Sequence, residues 1–209
     1  MENFRDSSNP QYNNRFLSVE ELEERLHRQG DPISIPKVLD AYEMAQNVHA
    51  HQVRNDGTPY FYHSARTARI IMEELHAFDT DLIISALLHD VLEDSETVTK
   101  GVLEYNFGSY VAYVVDMLTK DLAKARIDPD AVDVAHADRL RVASEDCLLI
   151  KLSARLDNIR CLSFNLKRNP IVYISNTLER YLPLADATSN VRLHYLASAI
   201  RSEANTFLG

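Results

Sequence analysis

The residues best suited to chemistry lie at the end of one apolar segment. Leu82-Ile83-Ile84-Ser85-Ala86-Leu87-Leu88-His89-Asp90-Val91-Leu92-Glu93-Asp94 carries apolar side chains on all sides, the pattern of a fully buried helix, yet ends on four ionisable groups. At 100° per residue, His89 and Glu93 fall within about 40° of each other, and Asp90 and Asp94 do likewise. Ionisable groups on a mostly apolar helix are costly unless compensated, and a cation is the simplest compensation. A helix end emerging into solvent satisfies the same spacing. His63 bears on the choice, because it follows Pro59-Tyr60-Phe61-Tyr62 and stands just before a separate helix that could present it. A lone His at such a place also serves as a cap or a packing residue.

The elements that must position these groups read as helices. Glycine is scarce, 5 of 209 residues, or roughly 2% against a typical ~7%, which leaves few residues suited to hairpin turns and disfavours a many-stranded fold. Residues 1–17 are polar and read as a loose N-terminal arm, with one domain over 18–209. Ser18 with Glu21 predicts a capped helix whose Val19, Leu22 and Leu26 share a face. Gly30, Pro32 and Pro36 mark a turn, and a second helix is expected from about Pro36 to Val48. A loop over 54–59 precedes a helix from about Ser64 to His76; others are expected over 82–94, 109–119, 140–165 and 171–206, the last broken near Pro183. The stretch 127–138 holds Asp128, Asp130, Asp133 and Asp138, no Lys or Arg, and one Pro, and reads as a mobile loop. The expected fold is all-α and single-domain.

Composition narrows the function. With 22 Lys+Arg against 31 Asp+Glu, the net charge is −9, so a general nucleic-acid binder, which needs a basic surface to displace counterions, is disfavoured. Cys147 and Cys161 form no metal-binding pattern. The N-terminus lacks the apolar stretch of a signal peptide, and no run of ~18 apolar residues spans a membrane. A soluble cytoplasmic protein is expected, with self-association left open.

His63, followed about 26 residues later by His89-Asp90, resembles the opening of the His…His-Asp…Asp pattern of HD domains. Further motifs narrow the likeness. Arg54…Gly57-Thr58-Pro59-Tyr60…His63 and Ala86 to Asp94 resemble the hydrolase module of the RelA/SpoT alarmone enzymes. Phe107-Gly108…Val111…Leu118-Thr119-Lys120, Ile150 to Arg160, and Thr177-Leu178…Tyr181-Leu182-Pro183-Leu184-Ala185 continue it in order, over about residues 36–190. The resemblance implies an HD-type helical bundle that removes the 3′-pyrophosphate from guanosine tetra- and pentaphosphate with Mn²⁺. With about 20 residues beyond the last motif, the chain is similar to the small, hydrolase-only members. His63, His89 and Asp90 would then be metal ligands, and Glu93 and Asp94 would orient and deprotonate the attacking water. Arg54 would clamp the nucleotide, Lys120 and Asn158 would line its pocket, Lys151, Arg155 and Arg160 would add positive charge, and Tyr181 would help close the pocket. For Lys151, Arg155, Arg160 and Tyr181, ordinary surface charge or packing explains the residue equally well.

The likeness breaks at one place that matters. The family reads Lys-Leu-Ala-Asp-Arg-Leu-His-Asn where this chain has Lys151-Leu152-Ser153-Ala154-Arg155-Leu156-Asp157-Asn158, so its fourth metal ligand falls on Ala154. Three accounts stand: a deliberate Asp→Ala exchange that traps a nucleotide, a natural homologue that binds without cutting, or compensation by Asp157. Asp157 lies about 60° off the Ala154 stripe and is a poor geometric substitute. Asn55 stands where the family often has Lys, and Cys161 where a Thr is common at the pocket, which leaves guanine against adenine open. The rival functions are a hydrolase of adenosine alarmones or of pyrophosphorylated tRNA acting as antidote to a toxic synthetase, a non-catalytic nucleotide sensor, and a purely structural helical protein.

Overall fold

The computed structural model describes residues 11–165 and 169–208, and among these every extended element is helical. Ser18 starts α1 (Val19–Gln29) with the expected capping box: its hydroxyl accepts from the Glu21 N–H, and the Glu21 carboxylate accepts from the Ser18 N–H. α2 (Ile35–Val48) follows a short 3₁₀ turn at Pro32–Ser34. The loop after it is pinned by an isolated antiparallel bridge between Val53 and Pro59, and Gly57 turns it at a φ of 86°, a backbone state suited to glycine. α3 (Phe61–Glu73) and α4 (Thr80–Leu88) come next. All of Leu82 to Leu88 is buried, as the all-round apolar pattern predicts.

The single helix expected over 82–94 is two. α4 stops at Leu88, and α5 (Val91–Asp94) restarts with the Asp90 carbonyl accepting from the Glu93 and Asp94 N–H groups. The junction His89-Asp90 is therefore a corner rather than a helix interior. α6 (Lys100–Phe107) and α7 (Ser109–Leu118) meet at Gly108, whose φ is 93°. α8 (Leu122–Ala125) leads to α9 (Pro129–Arg141), which replaces the loop expected over 127–138. There Asp128 caps the helix by accepting from the Ala131 N–H, and Pro129 sits in the first turn, where its missing N–H costs nothing. Lys120 pairs with Asp133 and Arg180 with Asp130 from outside the helix, and Asp138 pairs with Arg141 within it.

α10 (Glu145–Arg160) is the central helix and packs on α3, α4, α7 and α13. It ends short of the expected residue 165, giving way to a 3₁₀ turn at Leu162–Phe164. The expected final helix is divided into α11 (Pro170–Asn176), a π-helical turn (Thr177–Tyr181), α12 (Leu182–Asp186) and α13 (Val191–Leu208). Pro183 lies in the first turn of α12.

The segment before α1 is not loose where it is described. Tyr12 and Leu17 are 0% exposed. Arg66 donates to the carbonyls of Asn13 and Arg15 at 2.8 Å each, the Tyr42 hydroxyl donates to the Leu17 carbonyl at 2.9 Å, and Phe16 stacks on Tyr62. Polar composition misled here because the few apolar residues of the segment are the ones that dock. Residues 1–10 lie outside the described residues. No helix among the described residues is long and apolar enough to cross a membrane.

Candidate metal and nucleotide site

The corner between α4 and α5 faces the first turn of α3, which brings His63 to His89 and Asp90. One ligand atom from each of the three lies within 4.8 Å of the others. His63 Nε2 is 3.9 Å and His89 Nε2 is 3.4 Å from the Asp90 carboxylate. Each imidazole is fixed from behind. His63 Nδ1 pairs with Asp157 Oδ2 at 2.6 Å, and His89 Nδ1 with the Ala86 carbonyl at 2.8 Å. Since carbonyls and carboxylates only accept, both Nδ1 atoms carry the proton and both Nε2 lone pairs converge on Asp90. The Tyr60 hydroxyl donates to Asp90 at 2.9 Å and holds the third group.

Electrostatics fit the same picture. Burial pushes the His63 imidazole down to about 4, against the pull of Asp157, so the ring is neutral and basic at Nε2. Burial alone would raise the Asp90 carboxyl, but His89, His63, Lys151 and the Tyr60 hydroxyl outweigh it and hold the group ionised. The His63 and His89 imidazoles and the Asp90 carboxylate form a donor set suited to a divalent transition metal. The residues present therefore fit such an ion, with three protein ligands rather than four.

The position facing this cluster from α10 is Ala154, 5% exposed and carrying only a methyl group. Lys151, Ala154, Arg155 and Asn158 share one face of α10, at spacings of three and four residues, and line a cavity of about 480 Å³ with the cluster at its floor. Asp157 lies off that face and is fully buried against α3, where it accepts from His63 Nδ1, from Arg66 Nε at 2.5 Å and from the Tyr12 hydroxyl at 3.2 Å. It does not face the cavity beside Ala154; it holds the His63 ring from behind.

Glu93 lines the cavity one turn beyond Asp90, with a carboxylate oxygen accepting from the Lys120 N–H at 2.6 Å. Burial and the neighbouring Asp90 push its carboxyl up to about 7, against Lys151 and Lys120. Asp94 is raised by burial and Asp90 too, yet it lies to one side, 3.6 Å from His49 Nδ1, and is not part of the cavity wall.

The opposite wall is basic. Burial, Lys120 and Arg155 push the Lys151 ammonium down to about 7, against Glu93 and Asp90. Lys120 pairs with Asp133, which also accepts from the Asn176 side chain at 2.9 Å. Arg54 donates to Asn158 at 2.6 Å, and the Asn55 amide donates to Asn165 at 2.9 Å, closing one end of the cavity. Tyr181 is absent from the lining. It is 0% exposed, lies 3.8 Å below the Arg155 guanidinium and donates to or accepts from His136, so it supports Arg155 instead of covering a ligand. Arg160 is likewise turned away, paired with Glu74 and Glu203. Cys161 is buried against Arg66 rather than at the cavity. Sequence reasoning missed Tyr60 as the Asp90 partner, Asp133, Asn165 and Tyr173; only Tyr60, inside a quoted motif, carried a local signal.

Residues 41–188 match the HD domain family, which is most of the chain. The chain belongs to the HD domain family. The chain is 34% identical over 168 aligned residues to the GTP pyrophosphokinase rsh of Brucella suis, covering 79% of this chain and 22% of that one. It is 36% identical over 154 residues to the guanosine-3′,5′-bis(diphosphate) 3′-pyrophosphohydrolase of Vibrio cholerae, covering 72% of this chain and 21% of that one. The chain thus spans about a fifth of the length of these curated relatives. Among solved structures, a metazoan orthologue of SpoT that hydrolyses ppGpp superposes with a TM-score of 0.69 at 25% identity, over 79% of this chain and 94% of that one. The resemblance to the RelA/SpoT hydrolase module, and the all-α HD bundle it implies, are borne out.

Proposed function

We propose that this HD domain is a Mn²⁺-dependent 3′-pyrophosphohydrolase of guanosine tetra- and pentaphosphate, cytoplasmic and slowed by Ala154. The observation that carries the reading is the convergence of His63, His89 and Asp90 at the floor of a cavity whose wall is basic. A divalent cation bound there supplies Lewis-acid charge to a phosphoryl centre. The chain's own residues do the rest. His63, His89 and Asp90 would hold the cation, and Ala154 offers no fourth protein ligand, which would weaken its retention. Glu93, with a carboxyl near 7 and its second oxygen free of the Lys120 N–H, takes a proton from the attacking water. Asp94, one residue on and beside His49, helps orient that water. Lys120, Lys151 and Arg155 receive the pyrophosphate, while Arg54, Asn55, Asn158 and Asn165 hold the nucleoside end.

A second reading, an adenosine alarmone as substrate, is equally compatible with one feature. The Asn55–Asn165 amide pair offers both donors and acceptors, and so can meet either purine edge. The test is thermal unfolding of the full chain with Mn²⁺, and then with Mn²⁺ plus the guanosine or adenosine alarmone. A midpoint that rises with Mn²⁺, and further with one nucleotide, supports the reading and names the base. A midpoint indifferent to Mn²⁺ but raised by nucleotide favours a non-catalytic sensor, and indifference to both leaves only a structural protein.

A further inference from the structure

Asp157 and Arg66 form a buried pair that the proposed reaction does not itself require. Arg66 stands three residues after His63 on α3, so both side chains leave the same face of that helix. Both end on Asp157, 91 and 94 residues away, on α10. Arg66 Nε donates to Oδ1 at 2.5 Å, and His63 Nδ1 to Oδ2 at 2.6 Å. Tyr12 shares Oδ1 at 3.2 Å, and Arg66 NH1 continues to the Asn13 and Arg15 carbonyls. Arg66 also reaches Oδ2 through its second terminal nitrogen, at 3.4 Å, and Arg54 lies 3.8 Å from that oxygen, but the close contact of the donor-only Arg66 is the 2.5 Å one to Oδ1, which fixes that atom as an acceptor.

We infer that Asp157 is a positioning residue that sets the His63 tautomer, with Arg66 holding the carboxylate in the orientation that does so. The inference rests on the cation site proposed above for the purpose of that setting, though the tautomer is a property of the chain alone. A carboxylate at 157 forces the proton onto His63 Nδ1 and leaves the Nε2 lone pair facing Asp90 and His89. An amide at 157 does the reverse. Arg66 and Tyr12 need an oxygen at the Oδ1 position, so Asp157→Asn turns its NH₂ group toward His63 Nδ1. That nitrogen must then accept, and the ring proton moves to Nε2, where it points into the cluster and blocks a cation. The residue that sequence spacing offered as a substitute ligand therefore acts one layer out. It also ties the segment around Tyr12 to the site.

The test reads the tautomer and the cation separately. In ¹⁵N-resolved NMR of the metal-free full chain, His63 is expected as the Nδ1–H form in the wild type and as the Nε2–H form in D157N. Mn²⁺ titration is expected to show D157N weakened by about 10–100-fold. In R66Q/D157N the donor-only group left near the amide is Arg54, 3.8 Å from the Oδ2 position, which favours an oxygen facing His63, so Mn²⁺ affinity is expected to recover toward the wild type, which a merely structural role for Asp157 would not produce. A wild type with His63 as Nε2–H, or a D157N variant that binds Mn²⁺ like the wild type, overturns the inference. If the wild type binds no Mn²⁺ at all, the cation reading falls, and the tautomer alone then decides on Asp157. Should D157N not fold, the wild-type spectrum still gives that decision.

Discussion

Removing the Arg155 guanidinium should do more damage than removing a surface charge. Arg155 lies 3.8 Å over the Tyr181 ring and 4.9 Å from the Tyr173 ring, donating to Thr177 Oγ1 at 2.6 Å and Asn176 Oδ1 at 2.9 Å. A desolvated guanidinium–ring contact contributes about 2 kcal/mol, and a hydrogen bond from a charged donor about 1.5–3 kcal/mol. These terms overlap, so Arg155→Met, which keeps the volume and loses the charge, is expected to cost about 3–5 kcal/mol. At this chain length that lowers the midpoint of thermal unfolding by about 6–20 °C. The assay is a double-mutant cycle by circular dichroism with Arg155→Met, Tyr181→Leu and the pair. The expected coupling is about 2 kcal/mol, while Tyr181→Phe, which keeps the ring, should cost only about 1 kcal/mol. R155M should also weaken nucleotide binding, since Arg155 lines the cavity, whereas Y181F should not. A coupling below about 0.5 kcal/mol would refute the view that Tyr181 acts by supporting Arg155.

Two further outcomes follow from buried polar groups. His136 is held neutral, chiefly by burial and then by Lys151 and Lys120, so its folded-state affinity for a proton lies below the ordinary imidazole value. The unfolded chain binds the extra proton below about pH 6.5, so stability falls with falling pH by up to about 1.4 kcal/mol per unit from this group. From pH 7 to pH 5 the wild type should lose urea stability relative to His136→Gln, and a pH-independent difference would contradict it. Arg160 pairs with buried Glu74 at 2.6 Å and with Glu203 at 3.0 Å. Arg160→Met is expected to cost about 3–5 kcal/mol in chemical denaturation, and Glu74→Gln with Arg160→Met to recover part of it by removing the buried Glu74 charge.

Much of the fold was legible because its signals are local. The Ser18–Glu21 cap, the apolar period of α1 to α4 and the scarcity of glycine all concern neighbours in sequence, and the site motifs sit at element ends that those signals place. What failed depended on partners far along the chain. The acidic run that forms α9 read as a loop because Lys120 and Arg180, which neutralise Asp133 and Asp130, lie outside it. Its start was nonetheless written in Asp128-Pro129 as a cap and a first-turn proline. Tyr12 looked like part of a polar arm until Arg66 and Asp157 gave that segment a dock. The same holds for Asp157: its spacing correctly argued against a ligand facing Ala154's cavity, but only α3 shows that it serves His63. Tyr181 and Cys161 read as pocket residues and are buried behind it, because helix spacing alone does not say which neighbour covers a face.

The central claim is that a phosphohydrolase site lacks one metal ligand and is otherwise assembled. It is tested most directly by release of pyrophosphate from guanosine tetraphosphate with Mn²⁺, comparing wild type with Ala154→Asp. Ala154 faces the cluster from α10, so a carboxylate there adds the fourth protein ligand without altering His63, His89, Asp90 or Glu93. The account predicts Mn²⁺-dependent release that is slow or absent in the wild type and rises at least tenfold in A154D. A folded A154D protein that binds Mn²⁺ and the nucleotide yet releases no pyrophosphate above background would contradict it.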